Sequence, residues 1–355
     1  LFDGIRSNSG RGKHFSSVKT PQLFIFHFVT YSVLNLFTFL SSYDKIITYM
    51  FVNTFKLLSF LAFKLLIMKG SFCMPIIEIL ERNAREFGND VALVEVNPEI
   101  RETRRVTWKE YELIEPNPVC HYRREITWSV FNEKANRFAN LLLSRGVKKG
   151  DKVGILLMNC LEWLPIYFGI LKTGALAVPL NFRYTPEEIK YCLDLAEVDI
   201  LVFGPEFIGR VEEIADEISK NRLLFYVGEN CPSFAEHYDR LTANCASTTP
   251  YIELTDEDDA AIYFSSGTTG FPKAILHNHE SLMHAARVEQ NHHGQTKEDV
   301  FLCIPPLYHT GAKMHWFGSL ISGGKAVLLK GVKPEFILDT VSREKCTIVW
   351  LLVPW

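Results

Sequence analysis

From Pro75 onward, short apolar runs alternate with longer stretches in which apolar residues recur every three or four positions. The runs Val153–Leu157, Leu176–Leu180, Ile200–Phe203 and Leu223–Val227 have the length and branched content of buried strands. Between them, Cys160–Lys172, Thr185–Ala196 and Glu206–Lys220 carry helical spacing. Thr185, Pro186 and Glu188 supply an N-cap, a first-turn proline and a capping box. Pro75–Phe87 and Ser129–Leu143 read as amphipathic helices, the second closed by Arg145-Gly146, and Val91–Val96 reads as a strand. Short strands separated by helices of this length predict parallel strands joined by helical crossovers. The fold class expected is α/β, with layered, parallel-rich sheets and crossover helices.

Two stretches break the rhythm. Arg104-Arg105-Val106-Thr107-Trp108 is echoed by Arg123-Arg124-Glu125-Ile126-Thr127-Trp128, an echo that two strands of a hairpin or meander would explain without any repeat architecture. Asn230–Leu254 lacks periodicity and reads as a surface excursion. Beyond it the alternation resumes, with a strand at Ala260–Phe264, a helix at Asn278–Gln290, a strand at Val300–Ile304 and a helix at Gly311–Ser322. Lys325–Lys330, Pro334–Glu344 and Thr347–Leu351 add a strand, a helix and a strand.

The first 73 residues have a different character. They hold 12 of the 26 phenylalanines and eight Lys and Arg against two acids, so this segment is +6 and the remainder −9. Leu23–Tyr43 is uncharged and apolar enough for a transmembrane helix, and Ile46–Met68 is a weaker candidate interrupted by Lys56 and Lys64. A membrane anchor through Leu23 to Met68 is one reading. The chain begins with Leu1, however, and its Phe, Lys, Ile, Asn and Tyr content is what translated A/T-rich non-coding sequence yields. Lys69-Gly70-Ser71 could be encoded by a purine-rich initiation signal ahead of Met74. The expectation is that Met74 is the true start and that 1–73 is an over-extended reading frame.

Length and charge narrow the function classes. A chain of 355 residues can build an ordinary core and carry an enzyme, and a net charge of −3 gives no reason to expect a nucleic-acid partner. Eight cysteines are scattered without a Cys-x-x-Cys pair, which argues against a zinc ribbon or a disulfide framework and fits a reducing cytosol. The histidines at 277, 279, 284, 292 and 293 have no matching Cys or Asp, so no metal site is expected there. Thr255–Asp259 carries four acids in five residues, which reads as a solvated cap before a strand rather than a magnesium site.

Candidate chemistry concentrates directly behind Ala260–Phe264, in Ser265-Ser266-Gly267-Thr268-Thr269-Gly270-Phe271-Pro272-Lys273-Ala274. Glycines let backbone N–H groups turn toward an anion, hydroxyls add donors and Lys273 adds charge, so the segment can wrap a phosphate chain. Composition alone also allows a flexible surface loop. A Walker loop requires Gly-Lys-Ser/Thr, whereas here Pro272 precedes Lys273 and Ala274 follows it. A second cluster, Pro305-Pro306-Leu307-Tyr308-His309-Thr310-Gly311, follows Val300–Ile304 at the strand end where open α/β sheets bind ligands. The residues leave His309 divided between a turn histidine and a site histidine.

The Tyr263–Ala274 run resembles, at every fixed position, the phosphate-loop signature of the adenylate-forming superfamily, which includes acyl-CoA synthetases, peptide-synthetase adenylation domains and luciferases. The resemblance covers Met74 to the end and implies the N-terminal part of that superfamily's large domain. It also implies that Ser265, Ser266, Gly267, Thr268, Thr269, Gly270 and Lys273 bind the β- and γ-phosphates of ATP, with Lys273, Thr268 and His309 as catalytic candidates. His309 would line the acyl and adenylate site, and the helix after it would contribute to the acyl pocket. A carboxylic acid, fatty or aryl, would be activated to acyl-AMP and passed to coenzyme A; loading of a carrier protein, or a non-catalytic membrane-tethered relic, are the alternatives. The family's adenine-, ribose- and magnesium-binding motifs and its mobile C-terminal domain have no counterpart in this sequence. The chain is therefore expected to be a fragment that binds ATP weakly without turnover, with the ligands for Mg2+ elsewhere.

Overall fold

The computed structural model describes residues 75–100, 122–220, 222–265 and 271–351, with 313–315 and the flanking strands 103–108 and 111–116 described in backbone only. The apolar segments Leu23–Tyr43 and Ile46–Met68 lie outside these residues, as does Met74. Among the described residues no helix is long and apolar enough to cross a membrane.

In chain order, α1 (Ile76–Glu86) leads into β1 (Val91–Val96), followed by β2 (Thr103–Trp108), β3 (Tyr111–Pro116) and β4 (Arg123–Thr127). Thr127 caps α2 (Trp128–Ser144) by accepting the Val130 N–H at 3.4 Å. Then come β5 (Lys152–Leu156), α3 (Trp163–Leu171), β6 (Leu176–Pro179), α4 (Pro186–Leu195), β7 (Ile200–Phe203), α5 (Ile208–Ile218) and β8 (Leu223–Tyr226). The capping box expected at α4 is formed, with Thr185 and Glu188 each bonding the other's backbone N–H. After β9 (Glu236–His237) and α6 (Tyr238–Ala243) the chain forms β10 (Asp259–Ser265), β11 (Lys273–Asn278) and α7 (His279–His293). It continues through β12 (Val300–Cys303), α8 (Thr310–Ser322), β13 (Lys325–Leu329), α9 (Pro334–Glu344) and β14 (Ile348–Val349).

These strands form two large sheets. One has the order β14-β12-β13-β1-β4 and the other β11-β10-β6-β5-β7-β8-β9. Pairing is parallel except at β1/β4 and β10/β11. The parallel-rich α/β class expected from the alternation is the one observed.

The main core lies between the two sheets. It joins Leu93, Phe301 and Ala326 of the five-stranded sheet to Val153, Ala177 and Ala261 of the seven-stranded sheet through α1, α2, α3, α7 and α8. Every residue of α3 is buried, as a helix apolar on all sides must be. Phe131, Phe168 and Trp316 meet edge-on or tilted at 5.6–6.0 Å, welding α2, α3 and α8 together. Gly169 lets α3 press against α2, because a Cβ there would stand 2.9 Å from the Ala135 carbonyl and 2.9 Å from Phe138. Separate clusters under α4 and α5 and under α9 cover the outer faces of the two sheets, giving alternating helical and sheet layers.

Some expectations are corrected. The echoed segments do not pair with each other: β2 pairs with β3 in a ribbon of its own, and β4 pairs with β1. Arg123 and Arg124 owe their place to buried acids instead. Arg123 bonds Glu344 at 2.6 Å, and Arg124 bonds Glu95 at 2.7 Å and Glu162 at 3.2 Å. The excursion at 230–254 contains β9 and α6, too short for a periodic signal. Lys273 and Ala274, read as part of the loop, begin a strand that runs to Asn278, the residue read as the start of the next helix.

Candidate functional site

β10 and β11 form an antiparallel hairpin at the edge of the seven-stranded sheet, in register Ser265 to Lys273, Phe264 to Ala274, Tyr263 to Ile275 and Ile262 to Leu276. The phosphate-loop candidate is therefore the connection of a hairpin. Ser266, Gly267, Thr268, Thr269 and Gly270 lie outside the described residues. Ser265 and Lys273 flank that connection directly opposite each other, Ser265 half-buried and Lys273 exposed. Among the described residues Lys273 forms no ion pair.

The hairpin is anchored from behind. The Tyr263 hydroxyl lies 3.0 Å from that of Tyr167 on α3, inside the core. His277, across the strand, meets the Tyr263 ring edge-on at 5.3 Å, and burial lowers its pKa. Beyond the described end of β10, Phe271 stands 4.8 Å from Tyr191 of α4. The acids at 256–259 serve the turn into this hairpin: Asp258 accepts the Thr255 N–H at 2.7 Å and pairs with Lys149 at 2.7 Å, and that Lys149 contact is the main reason its pKa is lowered.

His309 sits elsewhere in the topology. It follows β12 of the five-stranded sheet, whereas the hairpin belongs to the seven-stranded one. Strand order alone thus does not bring His309 beside the loop. The turn that precedes His309 does contact the carboxyl end of the other sheet. Asn159, just past β5, donates to the Pro305 carbonyl at 3.0 Å and accepts the Leu307 N–H at 2.9 Å. Phe182, past β6, meets Tyr308 edge-on at 5.7 Å. His309 is exposed and caps α8, its Nδ1 accepting the Gly311 N–H at 3.3 Å. Of the apolar residues expected on α8, Trp316, Phe317 and Leu320 are buried core.

A cavity of about 300 Å³ lies at the ends of β5, β7 and β8, lined by residues including Arg124, Cys160, Glu162, Asp239 and Lys330. It includes none of Ser265, Lys273 and His309. Behind it Glu95, 5 % exposed, accepts from Arg124 and from the Leu161 N–H at 2.9 Å. Burial and then Glu162 raise the pKa of Asp239. Neither Glu95 nor Asn159 is singled out by sequence reasoning; a carboxylate inside the apolar run Val91–Val96 is the one signal that could have marked Glu95. Among the described residues no group of three or more His, Cys, Asp or Glu could hold a metal ion.

A model of the AMP-binding enzyme family matches residues 80–354. The crotonobetaine/carnitine–CoA ligase of Salmonella paratyphi C (strain RKS4594) is 32% identical over 222 residues, 61% of this chain and 43% of that protein. The crystal structure of the anthranilate CoA ligase AuaEII in complex with anthranoyl-AMP superposes with a TM-score of 0.68 at 26% identity, covering 79% of this chain and 50% of that one. A putative long-chain-fatty-acid CoA ligase from Rhodopseudomonas palustris CGA009 shares the fold, with a TM-score of 0.66 at 21% identity over 79% of this chain and 64% of its own. The chain spans about half the length of the first two. A family match over so much of the chain, on the layered α/β fold that carries the loop hairpin, makes this protein a member of the AMP-binding enzyme family.

Proposed function

We propose that residues 74–355 carry the phosphate-binding and acyl-side portion of an enzyme that uses ATP to activate a carboxylic acid and passes the acyl group to coenzyme A. The observation that supports this most directly is the Ser265–Lys273 register pair, which sets a hydroxyl and an ammonium on opposite sides of one hairpin mouth. A triphosphate entering that mouth would meet the Lys273 charge from one strand and the Ser265 hydroxyl from the other, with the donors of 266–270 between them.

The chemistry follows from leaving groups. A carboxylate oxygen attacks the α-phosphorus of ATP, the bond to the β-phosphate oxygen breaks, and pyrophosphate leaves with the electron pair. Lys273, with Ser265, Ser266, Thr268 and Thr269, neutralises and holds the β- and γ-phosphates as their charge grows, so its contribution is positioning and electrostatic. A thiol, that of coenzyme A, then attacks the acyl carbon and AMP departs. His309, exposed at the start of α8, borders the acyl side. The acid is of the fatty or aryl class, and the cytoplasm is the proposed location, in keeping with the free state of each described cysteine.

MgATP binding to the purified chain, measured by calorimetry for wild type and Lys273→Ala, tests the reading. A lost charge-assisted contact of about 1.5–3 kcal/mol predicts roughly 10–100-fold weaker binding. Equal affinity in the two proteins refutes the role of Lys273. ATP–pyrophosphate exchange by a full-length enzyme carrying this region, with short-chain, long-chain and aromatic acids, then identifies the substrate class.

A further inference from the structure

We infer that Asn159 is a positioning residue for the His309 turn, the amide that fixes the carboxyl end of one sheet to that of the other. The inference rests on the proposal that His309 borders the acyl and adenylate site. Asn159 stands at the end of β5 in the seven-stranded sheet and is 7 % exposed. Its carboxamide spans 146 and 148 residues of sequence to bond the turn after β12 in the five-stranded sheet.

The chemistry of the turn explains why an amide is needed. Pro305 and Pro306 have no N–H, so the backbone here has few donors with which to fold on itself. Leu307, 1 % exposed, carries the first N–H after the two prolines and has no water to turn to. Asn159 Oδ1 accepts that N–H at 2.9 Å while its Nδ2 donates to the Pro305 carbonyl at 3.0 Å. Donor and acceptor on one planar group clamp both sides of the two-proline step at once. His309 begins two residues later, and its Nδ1 accepts the Gly311 N–H at 3.3 Å, which places its ring proton on Nε2. Phe182 packs on Tyr308 from the loop after β6, adding area without direction. Asn159 therefore sets where the imidazole points relative to the hairpin, although it touches neither His309 nor the hairpin.

The test is read on the full chain labelled with ¹⁵N, without nucleotide, so its result is independent of whether the protein adenylates an acid. His309 is assigned by its disappearance in His309→Gln. Asn159→Ala is expected to move the His309 Nδ1 resonance from the acceptor position toward the average of exchanging tautomers, and to speed Gly311 amide exchange at least about tenfold. Asn159→Asp, which keeps the Leu307 acceptor and loses the donor, should fall between. Asn136→Ala removes another buried asparagine, bonded to the Ser247 carbonyl at 2.9 Å, and should leave both His309 signals in place. Unchanged His309 and Gly311 signals in Asn159→Ala, or an equal change in Asn136→Ala, overturn the inference. If the alanine variant does not fold, Asn159→Asp decides: wild-type signals overturn the proposal and shifted ones support it.

Discussion

Glu81→Ala removes the partner of an ammonium that has no route to water. Lys172, at the end of α3, is 1 % exposed, and its Nζ lies 2.6 Å from Glu81 Oε1 on α1. Burial lowers the Lys172 pKa and Glu81 works against that fall, so the charge persists in the core because of its partner. Breaking one side of a buried pair typically costs about 3–5 kcal/mol, and Glu81 at 32 % exposure leaves room for some water to replace it. The lower end of that range, about 3 kcal/mol, is expected. For a unit of this size that corresponds to a fall in Tm of about 6 °C. Lys172→Met should be far milder, a loss below about 1 kcal/mol, because a flexible apolar side chain fills the lysine's path and Glu81 regains water. The double variant should melt with Lys172→Met. Thermal denaturation followed by the fluorescence of the buried Trp128, Trp163 and Trp316 reads all four proteins. A Glu81→Ala protein that melts with wild type, or a Lys172→Met protein that melts below Glu81→Ala, refutes the reasoning. The outcome bears on the candidate site because α3 also carries Tyr167, whose hydroxyl lies 3.0 Å from that of Tyr263 on β10.

Two further perturbations test the packing around the site. Gly169→Ala places a methyl 2.9 Å from the Ala135 carbonyl and Phe138, so α2 and α3 must separate, and a loss of about 1–3 kcal/mol is expected in urea denaturation. His279, at the first turn of α7, is held neutral by burial, its pKa pushed down to about 4. A depressed histidine contributes its full stability above its unfolded pKa of about 6.5 and loses it as pH falls toward the folded value, so lowering the pH from 7 to 5 should remove about 2 kcal/mol. His279→Leu should flatten that part of the Tm profile, and a parallel profile in the two proteins would exclude His279 as the cause.

Much of the fold was legible because it is local. The repeat of apolar spacing placed most of the helices and strands, and Thr185, Pro186 and Glu188 marked the start of α4 to the residue. Glycines, hydroxyls and a lysine directly behind an apolar strand likewise form a local pattern, visible without any tertiary contact. Less visible were elements defined by partners. Lys273–Asn278 is exposed over its first four residues and shows no buried face, so nothing in its own pattern announces a strand. It is one because β10 supplies its hydrogen bonds.

The sequence by itself determined the α/β alternation and the caps, since each depends on residues within a few positions of one another. The tertiary structure decided which strands share a sheet. The strand end bearing His309 and the hairpin bearing Lys273 belong to two different sheets. The turn before His309 is tied to the other sheet by Asn159 bonding across 146 residues and by Phe182 packing on Tyr308. The same holds for the buried charges: Glu95 and Lys172 look misplaced in apolar runs until Arg124 and Glu81 arrive from other elements. A buried polar group is tolerated only when its partner is in place, and that partner is chosen by the packing of distant segments, not by the neighbouring sequence.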